Sequence, residues 1–255
     1  MNPAKRQSDI INRIRQKDFV TVNELSKTLN ISKETIRRDL TELARKGLVQ
    51  KVHGGASLPA VAGEGPFRER MGKNAAAKIK IAEAAAELIS PGETILIDTG
   101  STTLYFAEKL TLIPKLTVVT NSTQIAKTIS SEPSYSKVFL LGGEFYGDNR
   151  QTIGSIAIEQ LKSFRAHHAI LTIGALDTRT GIMDYSIEEA QLARAMVDQA
   201  ESLTILVDSS KFNKIASFEV CNLSRITNLV CDIPPSAELK TELMKAKINI
   251  IVANL

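Results

Sequence analysis

Residues 20–56 read VTVNELSKTLNISKETIRRDLTELARKGLVQKVHGGA, two apolar periods parted by a turn and followed by a glycine-rich reversal. Val22, Leu25 and Leu29 recur at helical spacing, which gives a first short helix one buried face. Asn30-Ile31-Ser32 leaves room only for a tight turn, and Ser32 is a good N-cap for a second helix. Ile36, Leu40 and Leu43 then stand at i, i+4 and i+7 as a second apolar stripe. Projected on a helix, Glu34, Arg38, Thr41 and Arg45 fall opposite that stripe, with Thr35 and Arg37 on its flanks. Such a helix packs inward while offering cations and hydroxyls outward, the layout of a helix-turn-helix whose second helix enters a major groove. Gly47 stops the pattern, residues 48–52 alternate like a strand, and His53-Gly54-Gly55-Ala56 turns the chain back as a basic wing. The candidate DNA contacts are Ser32, Lys33, Thr35, Arg37, Arg38, Lys51 and His53. The plain alternative is a small helical domain with a solvated charged face; the hairpin and the charge bias weigh against it.

That bias is local. The 255-residue chain carries a formal net charge of only +4. Residues 1–56 hold 12 Lys+Arg against 6 Asp+Glu, net +6, and the remainder holds 20 against 22, net −2. The positive excess sits with the helix-turn-helix, as phosphate binding requires, and the larger part has no electrostatic reason to bind nucleic acid. Cys221 and Cys231 are too few for a disulfide framework and read as buried reduced thiols. No run of 18 apolar residues appears and no signal-peptide hydrophobic region opens the chain, so a soluble cytoplasmic protein without membrane contact is expected.

Outward from the opening stretch, Asn2-Pro3 starts a helix that buries Ile10, Ile11 and Ile14, leaving Arg6, Arg13 and Arg15 to reach a DNA backbone. Residues 58–73 lose all periodicity around two prolines and three glycines and read as a linker, with Phe67 and Arg70 at its far end. The domains expected are residues 1–57 for the winged unit, with its helix-turn-helix proper at 20–39, and residues 74–255 for the second. In that second part a helix at 75–89 is followed by apolar runs at 95–97, 116–119, 138–141, 169–173, 203–207, 228–231 and 248–252. Helical segments at 102–110, 122–129, 187–200 and 237–246 separate most of them. Strands spaced by helices imply an α/β fold with a mostly parallel sheet covered on both faces.

In such sheets ligands bind outside the carboxyl ends of the strands. The first strand ends Asp98-Thr99-Gly100-Ser101-Thr102-Thr103 and opens a helix, offering free N–H groups, hydroxyls and a favourable dipole to a phosphate. Other ends carry Asn121, Gly142-Gly143 and Lys211. Taken singly these are N-caps, turn glycines and a surface cation; converging on one rim, they favour a small-anion pocket. The effector-binding candidates are Asp98, Gly100, Ser101, Thr102, Thr103, Asn121, Gly142, Gly143 and Lys211.

The run SKETIRRDLTELARKGLVQKVHGGA, in a gap-free match over residues 4–56, resembles the signature of the DeoR family of bacterial transcriptional regulators. IDTGSTT, VVTN, LLGGE and VDSSKF stand in the order that family shows. TGSTT and DSSK also resemble the phosphate loop and lysine motif of ribose-5-phosphate isomerase, whose fold the family's sensor domain shares. The resemblance implies a repressor of a sugar or polyol catabolic operon: a homo-oligomer that binds double-stranded operator DNA and is released by a phosphorylated sugar, with no cofactor. Two other readings compete, an isomerase-like enzyme with a DNA-binding domain and a second domain that only oligomerises. The isomerase puts two catalytic carboxylates in an Asp-Gly-Ala-Asp turn, which here reads Ile173-Gly174-Ala175-Leu176. Only Asp177, one residue on, remains nearby, so general acid–base chemistry has no agent in that turn and no catalytic residue is assigned. His167 and His168 lack Cys, Asp or Glu at ligand spacing; they are expected to finish a helix before the next strand, and no metal is assigned.

Overall fold

The computed structural model describes residues 3–17, 19–45, 49–52, 54–57, 65–131 and 134–253, without the side chains of 3–5, 12, 15, 16 and 45. Asn2, Gly47, Leu48, His53 and residues 58–64 of the expected linker lie outside these. The chain divides into two units, Met1–Gly63 and Glu64–Leu255.

The first unit runs α1 (Pro3–Lys17), β1 (Phe19–Thr21), α2 (Val22–Leu29), α3 (Lys33–Arg45), β2 (Gln50–Val52) and β3 (Gly55–Ser57). Thr21 caps α2 in a capping box: its hydroxyl accepts the Glu24 N–H at 3.1 Å while the Glu24 carboxylate accepts the Thr21 N–H at 2.9 Å. Asn30, left-handed at φ 53°, makes the turn, and the Ser32 hydroxyl accepts the Thr35 N–H at 3.3 Å to open α3. Ile10, Ile14, Leu25, Leu29, Ile36, Leu40 and Leu43 form the core with Val20, Val49 and Ala56. Val22, expected in it, only packs at its edge, because it is the first residue of α2. The hairpin gains a strand that the sequence pattern did not reveal, for β1 pairs antiparallel with β3 to give the order β1-β3-β2. Arg6, expected at a DNA backbone, instead clasps the buried Asp39 of α3, Nε to Oδ2 at 2.5 Å and Nη2 to Oδ1 at 3.0 Å.

The second unit begins earlier than its periodicity announced. Residues 67–72, assigned to the linker, form α4 (Phe67–Gly72), and Phe67 is buried in the core. Six residues are too few for an apolar period to show. Then come α5 (Ala75–Ala86), β4 (Thr94–Ile97), α6 (Ser101–Leu110), β5 (Thr117–Thr120), α7 (Thr123–Ser130), β6 (Lys137–Leu140), β7 (Glu144–Tyr146), β8 (Gln151–Ile153) and α8 (Ser155–Leu161). The chain continues through β9 (Ala166–Leu171), β10 (Ala175–Asp177), β11 (Gly181–Asp184), α9 (Ile187–Asp198) and β12 (Ala200–Val207). It ends with β13 (Phe218–Cys221), β14 (Asn228–Cys231), α10 (Ala237–Lys245) and β15 (Asn249–Val252).

Seven strands make one parallel sheet, ordered β15-β14-β12-β9-β4-β5-β6. Alternate residues feed opposite faces. Ile95, Ile97, Val118, Leu206 and Val230 meet α5, α6 and α7, while Leu96, Val119, Ile205, Leu229 and Cys231 meet α8, α9 and α10. Such double burial explains why these strands read as short apolar runs. The chain builds outward from β4 through β5 to β6, then returns to the other side of β4 with β9. That reversal is a topological switch point, where a crevice opens at the carboxyl ends. Two small antiparallel pieces, β7–β8 and β10-β11-β13, have strands of three or four residues and were not legible as alternation. His167 and His168 lie within β9 rather than ending a helix: the Thr94 N–H donates to His167 Nδ1 at 3.0 Å, and His168 Nε2 lies 3.2 Å from Glu93 Oε2.

Candidate functional site

The first unit presents one exposed polar face. Lys33, Glu34, Arg37, Arg38, Thr41 and Glu42 of α3 are exposed and Thr35 is half-buried. Arg38 pairs loosely with Glu34 at 3.4 Å, so its guanidinium is held by one exposed neighbour on its own helix. Lys51 of β2 donates from Nζ to Thr41 Oγ1 at 3.1 Å, which brings the hairpin cation alongside α3. Ser32 Oγ lies 2.9 Å from Thr35 Oγ1, so both hydroxyls sit at the helix start where a phosphate would meet free N–H groups.

Among the described residues of the second unit, a cavity lies on each side of the loop that follows β4. The first, about 40 Å³, is lined by Arg70, Lys73, Asn74 and Lys78 from α4 and α5, and by Ser101 and Thr102 at the start of α6. Thr172 and Ile173 after β9, Leu206 and Val207 at the end of β12, and Asp208, Ser210 and Lys211 after it complete the lining. Room for water needs roughly 10–15 Å³, so the space suits a phosphate group better than a whole sugar. Lys78 is a buried cation donating to Ser101 Oγ at 2.9 Å and to the Arg70 carbonyl at 2.5 Å. Burial lowers its pKa, partly opposed by Asp208. Burial likewise pushes Lys211 down to about 8. Asp208 accepts from Asn74 Nδ2 at 3.0 Å and from the Ser210 N–H at 3.1 Å. The first bond of α6 runs from the Leu104 N–H to the Gly100 carbonyl at 3.0 Å, leaving the N–H groups of residues 101–103 without intrahelical partners.

The second cavity, about 20 Å³, is lined by Asp98, Thr99, Asn121, Gln151, Asp184 and Glu189, with Leu192 and Ala193. Asp98 Oδ2 accepts from the Thr172 N–H at 2.9 Å and its hydroxyl at 3.2 Å, tying β4 to β9, while Oδ1 is buried with no hydrogen bond. Glu189 Oε1 accepts from Asn149 Nδ2 at 2.6 Å and Gln151 Nε2 at 2.5 Å. Asn121 donates to Gln151 Oε1 at 3.2 Å and accepts from Thr99 at 3.1 Å. Desolvation raises Asp98 to about 7 and, with Glu189 adding repulsion, Asp184 to about 8. Arg70 approaches this group from α4, donating from Nη2 to Asn149 Oδ1 at 2.7 Å. Its pKa falls through burial, against the pull of Glu189, Asp184, Asp148 and Asp98.

Ser101, Thr102 and Lys211 therefore line the cationic cavity, and Asp98 and Asn121 the carboxyl-rich one. Gly100 lies between them, where a Cβ would strike the Thr172 side chain. Thr103 is fully buried and its hydroxyl donates to the Asp98 and Gly100 carbonyls at 3.1 and 3.2 Å, so it braces the loop rather than lining a cavity. Gly142 and Gly143 line neither. The Gly142 N–H donates to Gln160 Oε1 at 2.7 Å, and Gly143, at φ 140°, is packed against the Ile153 carbonyl. Their loop turns into β7, away from the crevice. Asp177, the carboxylate nearest the isomerase turn, accepts the Arg179 N–H at 3.0 Å and serves the β10–β11 turn. Sequence reasoning misses Arg70, Lys73, Lys78, Gln151, Asp184 and Glu189 as members of the crevice. Only Lys78 leaves a trace, as a charge in register with Ile81, Ala82 and Ala85 on a buried helix face.

Models of known families match both units: the DeoR-like helix-turn-helix domain over residues 6–60 and the DeoR C terminal sensor domain over 73–233. Curated relatives include the HTH-type transcriptional repressor CsqR of Escherichia coli, 30% identical and covering 97% of this chain and 94% of that protein. The glycerol-3-phosphate regulon repressor of the same organism is 31% identical, covering 92% and 93%. The transcriptional repressor AccR of Agrobacterium fabrum is 31% identical over 98% and 97%. Among solved structures, ribose 5-phosphate isomerase A from Methanocaldococcus jannaschii is similar over 55% of each chain, at 16% identity and TM-score 0.41. The eIF2B delta structure from Chaetomium thermophilum matches 64% of this chain and 57% of its own at 18% identity and TM-score 0.46. With both units matched and full-length repressors at this identity, the chain belongs to the DeoR family of transcriptional regulators.

Proposed function

We propose that this regulator represses an operon for sugar or polyol catabolism, reading operator DNA through α3 and Lys51 and releasing it when a phosphorylated sugar enters the crevice. The observation that carries the effector reading is the cationic cavity. Arg70, Lys73, Lys78 and Lys211 converge with Ser101 and Thr102 at the open N-terminus of a ten-residue helix. Fixed N–H groups, hydroxyls and cations around a phosphate-sized space are the chemistry of phosphate binding. The neighbouring amides and carboxyls of Asn121, Gln151 and Glu189 match sugar hydroxyls, which donate and accept. A phosphate meeting Lys78 and Ser101 would loosen the Lys78 bond to the Arg70 carbonyl, so α4, at the head of the second unit, is the element the effector first disturbs.

Calorimetric titration of the full chain with pentose, hexose and polyol phosphates tests this. Ser101→Ala and Lys211→Ala are expected to weaken binding at least tenfold while operator affinity stays unchanged. Wild-type protein that binds none of these at millimolar concentration would sink the sensor reading.

The isomerase reading keeps one observation in its favour: Asp98 and Asp184 titrate near neutrality in the same crevice, the range suited to general acid–base work. Relatives named as repressors and the carboxylate-free turn at residues 173–176 weigh more heavily. Ribulose 5-phosphate formation from ribose 5-phosphate, abolished in Asp184→Asn, would reverse that weighting.

A further inference from the structure

Two hydrogen-bond networks meet at Arg70 of α4, one from each cavity. From the cationic cavity, Lys78 Nζ donates to the Arg70 carbonyl and to Ser101 Oγ, so the α4 backbone and the loop after β4 share one ammonium. From the carboxyl-rich cavity, Glu189 Oε1 accepts from Asn149 Nδ2 at 2.6 Å, and Asn149 Oδ1 in turn accepts from Arg70 Nη2 at 2.7 Å. Asn149 is buried and lines neither cavity. Its amide satisfies both neighbours in one orientation only, oxygen toward Arg70 and nitrogen toward Glu189; turned over, it would set N–H groups against the guanidinium. Its turn is anchored to other elements. Asp148 Oδ2 accepts the Phe67 N–H at 3.4 Å, and the Arg150 carbonyl accepts the Thr123 N–H at 3.0 Å and hydroxyl at 2.9 Å. A helix of six residues, with no side-chain bond from its N-cap Pro66, has little stability of its own, so outside bonds set the position of α4. One more comes from Tyr105, which donates to the Met71 carbonyl at 3.1 Å and lines neither cavity.

We infer that Asn149 is the positioning residue through which the sugar half of the effector acts on α4, while the phosphate half acts through Lys78, so that inorganic phosphate alone is a weak effector. The inference rests on the effector reading and divides its coupling in two. Sugar hydroxyls entering beside Gln151 and Glu189 compete for Glu189 Oε1, an oxygen already shared by the Asn149 and Gln151 amides. Each bond made there loosens the hold that keeps Asn149 turned toward Arg70. Inorganic phosphate fills the cationic cavity and carries nothing into its neighbour, so Asn149 keeps its place. Arg70 borders the cationic cavity as well, yet Glu189, Asp184, Asp148 and Asp98 all pull on its guanidinium by charge. A phosphate by itself therefore disturbs the backbone end of the joint and leaves the side-chain end held.

Gel-shift titration of the full chain on operator DNA tests this, with inorganic phosphate set beside the panel of pentose, hexose and polyol phosphates. Calorimetry fixes the saturating concentration of each, and chloride keeps ionic strength equal, because salt alone weakens operator binding. Coupling of about 5–150-fold for the best sugar phosphate, shared equally between the halves, leaves inorganic phosphate roughly 2–12-fold. Asn149→Ala is expected to bring the sugar phosphate's factor down to that of inorganic phosphate, whose own factor stays as in wild type. Asn149→Asp, nearly the same shape, keeps an acceptor for Arg70 and loses the donor to Glu189; it should behave alike, and it covers the case in which the alanine variant misfolds. The wild-type comparison needs neither variant. Equal factors for inorganic phosphate and sugar phosphate in wild type, inorganic phosphate without effect at saturation, or an undiminished sugar-phosphate factor in either folded variant would overturn the inference. Those results leave the effector reading standing, whereas operator binding untouched by every sugar phosphate would defeat the reading itself.

Discussion

Lys211 shows how a side chain is tuned by its place at the end of β12. Burial in the crevice takes its pKa from the usual 10.5 to about 8. The unfolded chain keeps that proton up to about 10.5, so between the two values the unfolded state binds more protons and this group's contribution to stability rises with pH. Phosphate binding has the opposite trend, because it needs the ammonium. The sugar phosphate turns from monoanion to dianion around pH 6 and is mostly dianionic by about pH 7, which favours binding as pH rises through that range. Affinity measured by calorimetry is therefore expected to be highest between about pH 7 and 8 and to fall above 8, whereas Lys211→Arg, which stays charged, should hold its affinity to pH 9.5. A flat wild-type profile from 7 to 9.5 would remove Lys211 from the phosphate's surroundings.

At the scale of elements, α3 divides its labour by face. Ile36, Leu40 and Leu43 lock it to the first unit's core, and Asp39, gripped by Arg6, fixes its rotation from the side of α1. That leaves Arg37 and Arg38 outward with little else to do in the free protein. A base contact through either is worth ~1–3 kcal/mol. Arg38→Ala and Arg37→Ala are each expected to weaken operator binding roughly ten- to a hundredfold in a gel-shift titration, with sugar-phosphate affinity unaltered. Undiminished operator affinity in both variants would take α3 out of the interface.

For the molecule as a whole, repression and release require that the effector bind the DNA-free and DNA-bound states unequally. Coupling of this kind typically amounts to about 5–150-fold, and it is reciprocal. Saturating sugar phosphate should lower operator affinity by a factor in that range, and saturating operator DNA should lower sugar-phosphate affinity by the same factor. Lys78→Met, which removes the link between Ser101 and the Arg70 carbonyl, is expected to shrink both factors together. Equal sugar-phosphate affinity with and without operator would exclude release by that ligand.

Periodicity carried most of the fold. Both helices of the helix-turn-helix and all seven strands of the parallel sheet were legible, because a strand buried on both faces must be apolar at nearly every position and a half-buried helix must repeat every three to four residues. The position of Ser101, Thr102 and Lys211 on the wall of a cavity was legible for a related reason: a strand's carboxyl end is a fixed place in the chain, so its polar residues stand next to an apolar run. What such local signals cannot carry is which distant segments meet. Arg70, Lys73 and Lys78 reach the crevice only because α4 and α5 lie on the face occupied by α6, and Asp184 and Glu189 because β11 and α9 return to it. Gly142 and Gly143 show the converse, a strand end with the right residues whose loop turns away to support β7. Tertiary structure alone decided those neighbours, since they depend on packing between elements whose sequences hold no record of one another.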